Sequence, residues 1–308
     1  MPNSTINPII SVIVCSYNRE KYIVDAIESL INQTLEKEKY EILIIDNNSK
    51  DNTAQLCFQL LEKYSDKYNL FYFLETQQGL SYARNRGIQE AKGELICYID
   101  DDAIAEPDFL EKILNFFEEN DQVGGVGGKI IPKYVDGEPN WMNPFMEGLV
   151  SKVDYGNAVF KFNGTKYPIG CNMTYKKSDL VGIGMFDPDL GRKGDTTDGG
   201  EEKDIFFKIY HLGRDIYYLP SASVQHVIEQ PRLNYDYIKK ISIGIGKSER
   251  LRKKKEGAIQ EFMNFIKLIL KFGAASFIAL FYLLTLKPAK AKAIMVFRLD
   301  VFRGYFSV

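Results

Sequence analysis

Three consecutive carboxylates, Asp100, Asp101 and Asp102, end an apolar run over residues 95–99 that follows Gly93. A short run that is apolar throughout reads as a strand buried on both faces, of the kind found inside a parallel sheet. The acids then stand at its carboxyl end, the edge at which open α/β sheets bind ligands. Adjacent carboxylates repel one another unless a cation or a donor-rich ligand offsets their charge. Oxygen ligands suit Mg²⁺ or Mn²⁺, held by one or two carboxylates together with the oxygens of a phosphorylated substrate. The chemistry to expect is a metal-diphosphate site. A solvated turn is the plainer account of any isolated acidic cluster, so the remaining residues have to decide.

A second group of acids lies in residues 199–213, where Ile205, Phe206, Ile209 and Leu212 form one apolar helix face. Glu201, Glu202 and Asp204 fall in the first turn of that helix, where the macrodipole stabilises negative charge without any chemistry being required. His226 closes a later apolar stretch and is one of only two histidines. Core or surface duty is the usual fate of a lone histidine.

Elements that could position these groups recur along the chain. Residues 9–15 form a buried strand, and Ser16, Tyr17, Asn18 and Arg19 leave its carboxyl end. Tyr22, Ile23, Ala26, Ile27, Leu30 and Ile31 have helical spacing, as a crossover between parallel strands needs. Residues 40–46 form a second strand that ends on Asp46; Asp51 or Asn52 can cap the helix that follows. Residues 69–74 form a third strand. A helix entered through Gly79 and Ser81 carries Arg84 and Arg86 in its early turns, a setting that suits phosphate. Pro107 opens a helix through Phe109, Ile113, Phe116 and Phe117. The alternation is that of a doubly wound sheet.

Beyond residue 123 the alternation is lost. The glycines of 124–128 lie outside the strand-to-helix placement of a dinucleotide fingerprint and mark a strand whose backbone approaches something closely. Residues 132–165, with Trp141 the only tryptophan, read as a long functional loop, a lid or acceptor wall. The segment around Cys171 and Asn172 reads as a strand end facing the site. Residues 215–219 form a short strand.

At 308 residues and 45% hydrophobic content, the chain can bury a sizeable core. Its formal charge of −2 conceals an uneven distribution: residues 239–308 carry 15 basic and 4 acidic side chains, a net +11, which leaves −13 on residues 1–238. The acidic front argues against nucleic acid as a partner, and the basic, apolar tail suggests an anionic membrane surface. Cys15, Cys57, Cys97 and Cys171 form no C-x-x-C pair and read as reduced core residues. The opening Met-Pro-Asn-Ser-Thr lacks a basic n-region, so a cytoplasmic location is expected.

Taken in order, the segments Ser11-Val-Ile-Val-Cys-Ser-Tyr-Asn-Arg19, Asp46-Asn-Asn-Ser-Lys-Asp51, Gly79-Leu-Ser-Tyr-Ala-Arg-Asn-Arg-Gly87, Asp100-Asp-Asp102, Gly170-Cys-Asn-Met173 and Gly200-Glu-Glu-Lys-Asp204 closely resemble the family 2 glycosyltransferases over residues 9–230. The resemblance implies a GT-A-type, Rossmann-like, mostly parallel sheet with helices on both faces. It also implies an inverting transfer from a nucleotide-sugar to a glycan or lipid-linked saccharide acceptor, with Mn²⁺ or Mg²⁺. By position, Tyr17 and Asp46 would line the base pocket, with Asp46 accepting the uracil N–H of a UDP-sugar, and Ser16, Asn18, Arg19 and Asp101 would complete the donor site. Arg84 would lie near ribose and phosphates. Asp100 would face the nucleotide and, with Asp102 and His226, the metal. Trp141, Asn172 and Asp204 would meet the acceptor. The family usually has Glu-Asp where this chain has Glu201-Glu202; the second position is the catalytic base, so Glu202 is the expected base and Glu201 its alternate.

Two other readings compete. A sugar nucleotidyltransferase would ordinarily place a Gly-rich basic loop after the first strand, where this chain has Ser-Tyr-Asn-Arg; a non-catalytic sugar-nucleotide-binding protein is favoured only by the missing Asp at position 202. Residues 1–232 are expected to form the catalytic domain and 233–308 a helical tail. The tail's basic segment at 239–255, helical spacing at 259–270 and apolar run at 272–286 suggest association with the inner face of the cell membrane.

Overall fold

The computed structural model describes residues 8–194 and 199–308, so the first seven residues lie outside it. Its elements, in chain order, begin with β1 (Ile10–Ser16), α1 (Ile23–Ile31), β2 (Tyr40–Asp46), α2 (Thr53–Tyr64), β3 (Leu70–Leu74), α3 (Leu80–Glu90), β4 (Leu95–Asp100), β5 (Ala103–Ala105) and α4 (Phe109–Glu118). They continue through β6 (Val123–Tyr134), β7 (Phe160–Lys161), β8 (Asn172–Lys176), α5 (Lys177–Gly182), α6 (Glu201–His211) and β9 (Asp215–Ile228), then α7 (Tyr235–Glu256), α8 (Ala258–Leu284) and α9 (Pro288–Tyr305). Two compact units result: the first takes residues 8–132, 153–189 and 201–227, the second residues 133–152, 190–194, 199–200 and 228–308.

In the first unit the strands follow the order β3-β2-β1-β4-β8-β6-β9-β5, with β7 on β9. Pairing is parallel from β3 to β4 and antiparallel between β4 and β8, β8 and β6, and β9 and β5. α1 and α2 pack side by side, where Lys63 of α2 pairs with Glu28 of α1, and α3 packs on β1 and β2; the usual right-handed crossovers would put α3 on the face opposite α1 and α2. This is the expected GT-A architecture, with the parallel half confined to the chain's first hundred residues. Strand order reverses between β1 and β4, the switch point at which such sheets open a crevice. Because Cys15 pairs with Asp100 and Ser16 with Asp46, the register aligns the carboxyl ends of three strands at that crevice.

The opposite end of the sheet is pinned by a buried carboxylate. Glu41 Oε1 accepts from the Ser11 hydroxyl and the Lys92 amide, both at 2.6 Å, while Ser11 Oγ accepts from the Gly93 amide at 2.8 Å. A Cβ at Gly93 would stand 2.6 Å from the Ser11 nitrogen, so only glycine lets the chain enter β4 there.

Two elements differ from expectation. Residues 215–228 form one long strand rather than a short one ending at 219: it pairs with β7 at Tyr217 and Tyr218 and with β5 at residues 224–226, and Pro220 falls between those two pairings. The acids after β4 are followed at once by β5, which pairs Ala103 with His226.

In the second unit α7, α8 and α9 pack on one another around Leu233, Ile238, Leu268, Phe297, Val301 and Tyr305. α7 and α9 meet backbone to backbone. A Cβ on Gly246 would lie 2.0 Å from the Val301 carbonyl, and one on Gly304 would lie 2.0 Å from that of Ile243.

Candidate active site

Each side chain at the crevice is held by a loop that is itself tied down. Asn18 has a positive φ of 55°, and the β1 loop is laced to the β2 loop. The Asn18 amide donates to Ser49 Oγ at 3.0 Å, the Arg19 amide to Thr53 Oγ1 at 2.8 Å, and Asn18 Oδ1 accepts from the Lys50 amide at 2.8 Å. Asp46 is buried; Oδ1 accepts from the Ser49 amide at 2.9 Å and Oδ2 from the Tyr72 hydroxyl at 2.7 Å. Ser16 is buried and Tyr17 half-buried beside it. Asn47, not singled out by the sequence, joins the β2 and β3 loops. Its Nδ2 donates to the Glu75 and Gln77 carbonyls, and its Oδ1 accepts from the Gly79 amide at the start of α3.

The acidic triplet is offset from within the chain. Arg19 Nε lies 3.3 Å from Asp101 Oδ1 and Arg19 Nη2 lies 3.5 Å from Asp102 Oδ2. His226 Nε2 lies 3.0 Å from Asp102 Oδ1, placed there by the pairing of β5 with β9 and by the Val227 amide on the Asp102 carbonyl. Burial pushes Asp101 up to about 7, with Arg19 opposing the shift and the charges of Asp102 and Asp100 adding to it.

The donors present fit a divalent cation. Asp100, Cys171 and His226 each offer a ligand atom, and the three atoms lie within 4.8 Å of one another. One ion with bonds of about 2.0–2.4 Å can span such a set. The 3.0 Å between His226 and Asp102 matches the edge of an octahedron with bonds of about 2.1 Å, which would allow Asp102 to join. Cys171 was expected in the core, and it is buried; the antiparallel register of β4 and β8, Ile99 on Asn172, sets it beside Asp100. Its place next to the Asn172 strand end was the one available signal. Cys57 and Cys97 behave as expected, with thiols pushed up to about 12, chiefly by burial, which leaves them protonated and unreactive.

The two glutamates meet Arg84. Its Nη1 donates to Glu201 Oε1 at 2.9 Å and its Nη2 to Glu202 Oε1 at 3.4 Å. Arg84 and Glu201 are almost fully buried, whereas the Glu202 side chain is 20% exposed and so is the one of the pair open to an incoming group. The guanidinium lies over Tyr98 and Phe186, 5.7 and 5.2 Å from the ring centres. Burial lowers the Arg84 pKa, but Glu202, Glu201 and Asp100 together outweigh it and raise it. Gly170 makes room for the cluster: a Cβ there would lie 2.1 Å from Arg84 Nη2 and 2.7 Å from Glu202 Oε1.

The three residues expected to meet the acceptor have these surroundings. Asn172 is buried, and its Nδ2 donates to the carbonyls of Lys129 and Ala222 at 3.1 and 3.0 Å, leaving only its Oδ1 for a ligand. Asp204 pairs with Lys208 one turn along α6, at 2.8 Å. Trp141 lies in the second unit, in an apolar niche with Met146, Leu233, Tyr235 and Ile238.

The profile of glycosyl transferase family 2 matches residues 11–183, more than half of the chain, and the chain belongs to this family of glycosyltransferases. It is 28% identical over 247 residues to the glucosyl-dolichyl phosphate glucuronosyltransferase of Haloferax volcanii, covering 79% of this chain and 76% of that protein. It is also 28% identical over 265 residues to the dolichyl N-acetyl-alpha-D-glucosaminyl phosphate 3-beta-D-2,3-diacetamido-2,3-dideoxy-beta-D-glucuronosyltransferase of Methanococcus voltae, with 79% and 74% covered. Among solved structures, the mannosyltransferase PcManGT from Pyrobaculum calidifontis, in complex with GDP-Man and Mn²⁺, superposes with a TM-score of 0.69 at 18% identity, over 100% of this chain and 89% of that one. S. aureus TarS 1-349, in complex with UDP, gives 0.53 at 22% identity over 77% of this chain and 65% of that one. At these identities the structural likeness is one of fold.

Proposed function

We propose that this glycosyltransferase moves a sugar from a nucleoside diphosphate to a hydroxyl of a lipid-linked saccharide, inverting the anomeric carbon. The observation that carries the reading is the Arg84 cluster. One guanidinium is held by Glu201 and Glu202 and also feels the charge of Asp100, so a candidate base and the cation-binding acids share one neighbourhood. The names of the two dolichyl phosphate relatives support a lipid-linked acceptor, and the basic tail supports work at the cytoplasmic face of an anionic membrane. The catalytic part is the sheet-bearing portion of residues 1–232, with 233–308 the attached tail.

Asp46 and Tyr17 would hold the base, with a UDP-sugar the first donor to test, and the laced Asn18–Arg19 loop would face the diphosphate. Asp100, Asp102, His226 and Cys171 would hold the divalent cation, which supplies Lewis-acid stabilisation of charge on the departing diphosphate. Of Mn²⁺ and Mg²⁺, the nitrogen and sulfur donors favour Mn²⁺. Glu202 takes the acceptor proton as the acceptor oxygen bonds to the anomeric carbon, and the bond to the diphosphate breaks with its electron pair leaving on oxygen. The leaving group departs as an anion and needs no general acid. Arg84 aims Glu202, and Glu201 anchors Arg84. Calorimetric titration of UDP and GDP in the presence of Mn²⁺ tests the donor site: Asp46→Asn should weaken UDP by roughly tenfold or more, the loss of one charge-assisted hydrogen bond. Equal affinity in wild type and variant removes Asp46 from the base pocket.

A further inference from the structure

α8 is 27 residues long, about 40 Å, and its most apolar 18-residue window has a mean hydropathy of 1.8, yet only 22% of that window is buried. A core helix would show the opposite. One face, at steps of three, four or seven residues, runs Ile259, Phe262, Ile266, Leu270, Phe277 and Leu284; Ile259, Phe277 and Leu284 are 78, 79 and 76% exposed. Every side chain on that stripe is apolar over the full length of the helix. The opposite face carries Leu268, Ala275, Ala279 and Tyr282, buried against the rest of the unit, where α8 packs on α7 and α9. Lys267 and Lys271 are exposed on the flank, Lys254 and Lys255 precede the helix, and Lys287 follows it.

We propose that α8 lies flat in the surface of an anionic bilayer, its apolar stripe sunk to the level of the acyl chains along its whole length and its flanking lysines among the headgroups. This rests on the membrane-bound acceptor proposed above. The length of α8 would also permit a span. The packing argues against one, because crossing would carry α7 and α9 into the hydrocarbon with it, and α9 bears Lys290, Lys292, Arg298, Asp300 and Arg303. A stripe that is apolar from end to end, bordered by lysines and backed by a packed face, is the pattern of an interfacial helix. Charge chooses the occupant: lysines border the stripe along one flank and at both ends, which suits an anionic lipid surface better than a second copy of the same basic face.

The test uses the full chain. It should float with phosphatidylcholine/phosphatidylglycerol vesicles and much less with phosphatidylcholine alone, and Phe277→Asp with Phe281→Asp should lower partitioning by about a hundredfold, as expected for withdrawing two rings and adding two charges. Nitroxides on cysteines introduced at positions 262, 277 and 284 should report equal depths. A steady gradient of depth means a span and overturns the proposal. So does failure to float, whether or not the chain forms a concentration-dependent dimer that the double variant abolishes. Turnover of a soluble acceptor analogue by the double variant separates the two ideas: if it persists while flotation fails in wild type, only the seat of α8 is wrong, and if no donor turns over, the proposed function falls first.

Discussion

Arg84 and Glu201 lie 117 residues apart in sequence and meet in an almost solvent-free ion pair, Nη1 to Oε1 at 2.9 Å. Breaking a buried pair on one side leaves an uncompensated charge, which typically costs about 3–5 kcal/mol. Arg84→Met should therefore destabilise the protein by about that amount in urea unfolding. Arg84→Lys keeps the charge and loses the fork that reaches both glutamates; it should fold, bind donor nearly normally, and lose turnover by roughly 10² as Glu202 drifts from its aim. Unchanged turnover in Arg84→Lys would show that the guanidinium positions nothing.

Glu202 is the partly exposed member of the acidic pair and Glu201 the buried one. Glu202→Gln should lower kcat by roughly 10² to 10⁴ with donor affinity unchanged, the range for losing a general base. Glu201→Gln should act chiefly on stability, through Arg84. The reverse assignment of the two effects would move the base by one residue.

Cation binding should involve Asp102, His226 and Cys171 together. Asp102→Asn should weaken Mn²⁺ binding by at least about tenfold, read by Mn²⁺ electron paramagnetic resonance without any turnover. Cys171→Ser should narrow the preference for Mn²⁺ over Mg²⁺, since a hard oxygen replaces a soft sulfur. Mn²⁺ affinity equal to wild type in both variants would exclude this cluster as the cation site.

Asp101, pushed up to about 7 by burial, keeps its proton in the folded protein at pH values where the unfolded chain, with an ordinary value near 3.9, has lost it. Between those values the folded state binds more protons, so stability should fall as pH rises from about 4 to about 7, by on the order of a few kcal/mol. Denaturant unfolding of the cation-free protein at pH 5 and pH 7.5 reads this. In Asp101→Asn the decline should be much shallower, and an equal slope in both proteins would assign it to other groups.

The parallel half of the sheet was legible because each strand is an apolar run that ends on a polar loop, and because Asp46 and Asp100 mark the carboxyl ends directly. What sequence could not supply is long-range register. Cys171 reaches Asp100 only because β8 runs antiparallel to β4, and His226 reaches Asp102 only through β5, three residues long and carrying no periodic signal. Residues 215–219 read as a short strand, whereas the change of edge partner from β7 to β5 past Pro220 lets the strand continue to Ile228. The Arg84 clamp depends on Gly170, whose missing Cβ can be appreciated only once Arg84 and Glu202 are seen beside it. In the tail, composition marked a basic, apolar segment, whereas the reciprocal contacts of Gly246 and Gly304 that join α7 to α9 are a matter of helix crossing.

The central claim is acceptor-dependent sugar transfer by inversion with Glu202 as base. It is tested most directly by incubating the full chain with Mn²⁺, a nucleotide-sugar panel and a lipid-linked saccharide, following nucleoside diphosphate release and the anomeric configuration of the product by NMR. Release that requires both acceptor and Mn²⁺, collapses in Glu202→Gln and yields the inverted anomer is the expected result. A retained anomer, release indifferent to EDTA, or pyrophosphate formed from a nucleoside triphosphate and a sugar phosphate would contradict it.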